Sequence, residues 1–129
     1  MFKQALGTTT YDWPVEVAVP EDGGVWSRHK FTGKFKRFTK SQAKDLVDKL
    51  GEDKDDGEPF EPLDLAAEVL VGWDDQVATD QGEPIPFSEA ALRQMCDLFP
   101  MAIGAIYDAW IESISKGKEK NSKRPRGTG

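Results

Sequence analysis

Cysteine and histidine are almost absent from this chain, which has one of each, Cys96 and His29. A single cysteine excludes an internal disulfide and fits a reducing cytoplasm. One cysteine and one histidine cannot supply the ligands of a structural zinc site within one chain. A Ser-His-Asp or Cys-His enzyme would have to use His29, and nothing in the sequence marks it for that role. We therefore predict a non-enzymatic protein without catalytic residues, metal ligands or cofactor.

Long apolar runs are also missing. No stretch approaches the roughly 18 apolar residues that a membrane span needs. No apolar signal region follows the first four residues, so we expect neither a membrane protein nor an exported one. The 129 residues are 38% hydrophobic and 31% charged. This composition predicts one modest domain with loops or a disordered segment.

The charges are unevenly distributed along the chain. Residues 1–44 hold eight Lys/Arg and four Asp/Glu, residues 45–112 hold three and eighteen, and residues 113–129 hold six and one. Most of these acids are expected to form a solvated surface. The net charge of −6 repels phosphate, so nucleic acid is not an expected partner. The acidic middle between basic ends allows copies to attract one another head to tail.

Two runs of alternating residues predict an antiparallel β-hairpin at about residues 13–38. Val15, Val17 and Val19 alternate with other residues before a turn rich in Gly, Asp and Pro. In the second run, one face is largely apolar and the other carries Lys34 and Lys36. These lysines are candidates for a partner contact, for nucleic-acid binding, or for protection of an edge strand against aggregation.

Four helices are predicted after the hairpin, at about 40–50, 62–71, 88–99 and 100–115. Thr39 with Gln42 forms a capping box, Pro62 can begin a helix, and Ser88 is a good N-cap. Phe87 stands where it can staple the start of the third helix. Trp73 follows the second helix, and we expect it to be buried against the last one.

The last helix carries the clearest apolar stripe, formed by Ile103, Ile106, Tyr107 and Trp110. Such a helix belongs at the centre of a core or in a subunit contact. Residues 116–129 contain no apolar anchor, which predicts a disordered basic tail. The fold class is therefore α+β, with a hairpin followed by a mainly helical part within a single domain of residues 1–115.

Several short segments resemble the tail assembly chaperones of long-tailed (siphovirus-type) bacteriophages. They are a Gly-Trp after a helix (residues 70–74), a Pro-Phe-Ser helix start (residues 82–88), a strand that runs into a short helix (residues 31–39), and a final helix with Tyr107 that ends near Lys120-Asn121. The resemblance covers about residues 28–121, and its motifs are structural rather than catalytic.

This resemblance implies an assembly factor that binds and solubilises the tape measure protein and recruits tail tube subunits. It further implies self-association into rings or spirals, action in the host cytoplasm, and absence from the mature virion. Two alternatives remain open: a phage structural or head–tail connector protein, and an acidic inhibitor that mimics nucleic acid.

Overall fold

A computed structural model of the protein describes residues 9–50 and 59–123, with side chains as far as residue 115. The elements in chain order are β1 (Thr10–Glu21), a 3-10 turn (Asp22–Gly24), β2 (Val25–Lys36), α1 (Lys40–Leu50), α2 (Pro62–Val69), β3 (Leu70–Trp73), α3 (Glu89–Leu98) and α4 (Met101–Lys123). The fold class is α+β, as predicted.

The predicted hairpin is present and slightly longer at its start than expected. β1 and β2 pair along their whole length, from Thr10 opposite Lys36 to Glu21 opposite Val25. Gly23 and Gly24 have φ angles of +85° and +78°, a region that glycine enters at little cost, so they close the turn. The alternation seen in the sequence sets the two faces of the sheet, because successive side chains of a strand point to opposite sides.

A third strand was not predicted. The helix expected at 62–71 ends at Val69, and β3 adds antiparallel to β2, which gives the sheet order β1-β2-β3. A bulge interrupts the pairing between Lys34 and Phe35. The Leu70 side chain packs directly over Gly33, since a Cβ there would lie 2.8 Å from Leu70 Cδ1.

The predicted helix starts are confirmed. Thr39 and Gln42 exchange capping hydrogen bonds of 2.9 and 3.1 Å, and the Ser88 hydroxyl accepts a bond from the Ala91 amide. Pro62 stands at the first position of α2. These local signals place the helices, since each satisfies backbone donors that the first turn leaves unpaired.

The helices cover one face of the sheet, where a single apolar core forms. α4 packs across β1, and α2 lies between α4, α3 and the sheet. The sheet and three helices supply these core side chains: Val15, Phe31 and Phe35 from the sheet, Leu65 and Val69 from α2, Leu92 and Cys96 from α3, and Ile106 and Trp110 from α4. At its far end, α4 is tied to β1 by a 2.7 Å hydrogen bond between Tyr11 and Ser113.

The end of the chain differs in part from the prediction. The last helix was expected to end near residue 115, but α4 continues to Lys123. The rest of the predicted disordered tail, residues 124–129, lies outside the described residues, as do residues 51–58 between the first two predicted helices.

Candidate functional site

The hairpin extends beyond the helices that cover its inner face. Near Val15 and Phe35 the sheet is fully covered, but towards the turn the side chains become exposed. On this inner face, Val25 beside the turn is 57% exposed and His29 is also exposed. The inner face of the outer half of the hairpin therefore has no helix packed fully against it.

An open cavity of about 830 Å³ lies beneath this overhang, and we call it the hairpin groove. Its walls are the inner face of the hairpin, the loop between β3 and α3, and the junction between α3 and α4. The apolar side chains that line it are Val17, Val19, Phe31, Trp73, Val77, Ala78, Ile85, Ala91, Met95, Leu98, Phe99 and Ala102. This volume falls in the range of ligand and peptide sites.

Two large apolar side chains stand at the wall formed by α3. Leu98, the last residue of α3, is 65% exposed, and Phe99, which follows it, is 42% exposed. Grouped large apolar side chains in contact with water mark interaction surfaces more often than single ones do. The hairpin groove is therefore the best candidate for a functional site.

The polar side of the groove carries a short hydrogen-bonded chain. The Ser27 hydroxyl donates to the Glu21 carboxylate at 2.6 Å and lies 2.9 Å from Nε2 of His29. In a catalytic triad the histidine stands between the serine and the acid and accepts the serine proton. Here the serine stands in the middle and gives its proton to the acid, so this set is not a nucleophile with its base.

Trp73 forms the inner wall of the groove and holds the loop in place. Its indole N–H donates a 2.7 Å hydrogen bond to the carbonyl of Ile85, and its ring meets Phe87 edge to face at 4.8 Å and Phe31 at 6.2 Å. The expectation that Trp73 packs against the last helix is therefore not met. Its half-buried ring links the sheet to the loop instead, and Phe87 is its main aromatic neighbour.

The stripe predicted on the last helix faces mainly into the core. Ile106 and Trp110 are fully buried, whereas Ile103 and Tyr107 are half-buried at its edges. Tyr107 and Phe38 flank the Trp110 ring at 6.4 and 6.2 Å. Of the six predicted apolar candidates, only Trp73 lines the groove.

The two predicted lysines lie on the opposite face of the sheet from the groove. Lys34 forms an ion pair of 3.2 Å with Asp12, and its stem lies over Gly72. The ammonium of Lys36 stands 5.5 Å from the centre of the Phe38 ring. Each lysine thus has a partner within the chain, although Lys34 remains half exposed.

Leu98, Phe99 and Val25 are exposed residues that sequence reasoning missed as site candidates. Their apolar character was visible, but their exposure depends on how far the hairpin extends past the helices. Within residues 9–50 and 59–123, no group of three His, Cys, Asp or Glu residues could hold a metal ion. None of the helices described there has the length and apolar character required to span a bilayer.

A family model for phage tail assembly chaperones matches residues 1–121 of the 129. The chain belongs to this family. Neither a curated protein nor a solved structure matches it. Membership implies a non-enzymatic role in tail assembly, and the match includes every residue that lines the hairpin groove of this chaperone.

Proposed function

We propose that this chaperone binds the tape measure protein of the phage tail, keeps it soluble, and recruits tail tube subunits during assembly. The observation that carries the proposal is the hairpin groove, with Leu98 and Phe99 exposed at its wall. A long tape measure protein must present apolar surfaces before its partners arrive. An apolar groove on a charged, small subunit can cover such surfaces without itself precipitating.

A co-expression experiment tests this proposal. The tape measure protein is produced with and without the chaperone, and its soluble fraction is measured after centrifugation, followed by co-purification. We expect the chaperone to raise the soluble fraction and to elute with its partner. Leu98→Glu should reduce both effects because it places a charge in the groove.

Ile114→Glu is the matched control. Ile114 is also a large exposed apolar residue, 47% exposed, but it is not part of the groove wall. If both variants weaken solubilisation equally, the groove is not the binding surface. If neither the native chain nor the control holds the tape measure protein in solution, the proposed function is wrong.

We also propose that copies associate head to tail into rings or spirals. A heterologous contact closes into a ring or continues as a spiral, depending on its rotation. Lys34→Glu and Lys36→Glu together should shift sedimentation towards smaller species, with Lys40→Glu and Lys44→Glu together on α1 as a control that makes the same change in charge. Because Lys34 also pairs with Asp12, thermal unfolding must accompany the measurement. A strict monomer at high concentration would contradict self-association.

The proposed place of action is the host cytoplasm, with the chaperone absent from the mature virion. Mass spectrometry of purified virions distinguishes this role from that of a structural or connector protein. Stoichiometric copies of the chain in virions would favour the structural role.

A further inference from the structure

One edge of the sheet is open beside the hairpin groove. The 2.8 Å bond from the Arg37 amide to the Thr9 carbonyl sets the pattern of the hairpin ladder. In an antiparallel pair, bonded positions alternate with positions whose backbone groups point away from the partner strand. Odd-numbered residues of β2 therefore bond to β1, and even-numbered residues point to the other side.

β3 covers only the C-terminal part of that side of β2. It pairs with Gly33, Lys34 and Phe35, and Asp74 then closes the ladder. The Asp74 amide donates to the Thr32 carbonyl, and the Asp74 carboxylate accepts from the Thr32 amide, both at 3.1 Å. Beyond this point, the N–H and C=O groups of Trp26, Arg28 and Lys30 point outward, and no backbone group in the described residues bonds to them.

The other edge of the sheet is less suited to an added strand. By the same alternation, the even-numbered residues of β1 point away from β2, and Pro14 and Pro20 occupy two of these positions. Proline has no N–H to donate to a new ladder. A strand that adds to this sheet therefore finds its longest unbroken set of donors and acceptors on the outer half of β2.

The side chains around the open edge define which strand would fit. One face of an added strand would lie over the hairpin groove, where Ser27 and His29 stand next to the edge and the apolar lining lies beyond them. The other face would lie beside Arg28 and Lys30. The Arg28 side chain is 74% exposed and touches Glu16 at 3.5 Å, and Lys30 is exposed. A segment in which apolar residues alternate with acidic ones matches both faces.

A second copy does not match this edge. Antiparallel pairing of two β2 edges would place Arg28 and Lys30 of one copy beside the same cations of the other. Like charges opposite one another destabilise a pair of strands. Lysine and arginine on an edge are also a common guard against such self-pairing.

We propose that the open edge of β2 and the hairpin groove together bind an extended, alternating apolar and acidic segment of a partner protein by strand addition. The backbone of that segment bonds to Trp26, Arg28 and Lys30, its apolar side chains enter the groove, and its carboxylates face the two cations. This mode of recognition takes affinity from main-chain bonds and specificity from alternate side chains. It deepens the proposed function, on which it rests, by naming how a tail protein is held.

Peptide binding to the full chain tests the inference. The probe is a blocked peptide of about eight residues that alternates Val and Glu, and the controls are its Val-Lys counterpart and the same Val-Glu peptide with alternate amides N-methylated. We expect the Val-Glu peptide to bind at least tenfold more tightly than either control. In hydrogen exchange, it should slow the amides of Trp26, Arg28 and Lys30.

Two pairs of variants separate the backbone contribution from the charge. Arg28→Pro removes an outward N–H that the hairpin does not use, and Arg28→Gln removes the charge but keeps that N–H. We expect Arg28→Pro to lose more affinity than Arg28→Gln. Lys30→Glu should weaken binding about tenfold, whereas Lys40→Glu, which makes the same change of charge on α1, should not. Circular dichroism checks that each variant is folded.

Equal binding of the Val-Glu and N-methylated peptides would overturn the inference, as would tighter binding of an amphipathic helical peptide without protection of the three amides. A dimer that protects the same amides without any peptide would also overturn it. If the peptides do not bind but the chain still solubilises the tape measure protein, the inference fails and the proposed function stands. If Val-Glu binds but the tape measure protein stays insoluble, the proposed function fails.

Discussion

The same substitution, glycine to alanine, should have opposite effects at Gly33 and Gly104. A Cβ at Gly33 would lie 2.8 Å from Leu70 Cδ1, 3.1 Å from Phe35 Cε2 and 3.3 Å from Val15 Cγ2. Carbon atoms pack best at about 3.5–4.0 Å. All three neighbours are buried in the core and can move little. A Cβ at Gly104, on α4, would meet no atom within 4 Å.

The magnitudes follow from these distances. Overpacking a filled core costs about 1–3 kcal/mol, and alanine recovers about 0.5–1 kcal/mol over glycine in a strand. Gly33→Ala should therefore lower the free energy of unfolding by about 1–2 kcal/mol. Gly104→Ala should raise it by about 0.5–1 kcal/mol, because alanine is the better helix former and nothing obstructs it.

Urea unfolding followed by circular dichroism measures both effects. We expect the two urea midpoints to move in opposite directions while the m-value, the slope of the unfolding free energy against urea concentration, stays the same. An unchanged m-value means that the shift in midpoint reports a change in stability. A Gly33→Ala protein as stable as the native one would refute the close packing of the Leu70, Phe35 and Val15 side chains over Gly33. Loss of stability in Gly104→Ala would refute the open surroundings of that position.

Two further substitutions and one labelling experiment test other contacts. Trp73→Phe removes the hydrogen bond to Ile85 and should lower the free energy of unfolding by about 0.5–1.5 kcal/mol in urea titrations, and an unchanged stability would show that the loop does not depend on it. Ser88→Ala removes the cap that accepts from Ala91 and should cost about 0.5–2 kcal/mol, whereas a neutral effect on thermal unfolding would contradict the cap. Burial raises the pKa of the Cys96 thiol. The stabilisation from the buried neutral thiol is therefore complete at pH values below the pKa of the unfolded state, and it is lost as the pH rises through the higher pKa of the folded state. A thiol reagent should accordingly label Cys96 only on unfolding, and rapid labelling of the native protein would contradict its burial.

Local sequence signals were sufficient for most of the secondary structure. Thr39, Pro62 and Ser88 begin the helices where predicted, because a cap acts through neighbouring residues alone. β3 could not be predicted in the same way. Its four residues, Leu70–Trp73, continue the apolar pattern of a helix, and they form a strand only because β2 offers an edge.

The candidate site was less predictable than the fold. Phe99 continues the apolar pattern of its helix in the sequence, but its exposure could not be predicted. That exposure depends on the space beneath the hairpin, which is a property of tertiary packing. Trp73 and Trp110 illustrate the same point. The sequence left open whether Trp110 belongs to the core or to a subunit contact, and it lies fully in the core because α4 crosses β1. Trp73 was expected to be buried against the last helix, but it is half-buried and turns towards the loop.

Co-purification of the tape measure protein with the native chaperone, with Leu98→Glu and with Ile114→Glu tests the central claim most directly. The three chains are co-expressed with the same tape measure protein at matched levels, and the ratio of the two proteins in the eluted complex is measured. We predict that the native chain and Ile114→Glu retain the tape measure protein in solution, and that Leu98→Glu loses most of it. Equal recovery with all three chains would contradict the claim that the hairpin groove is where this chaperone holds its partner.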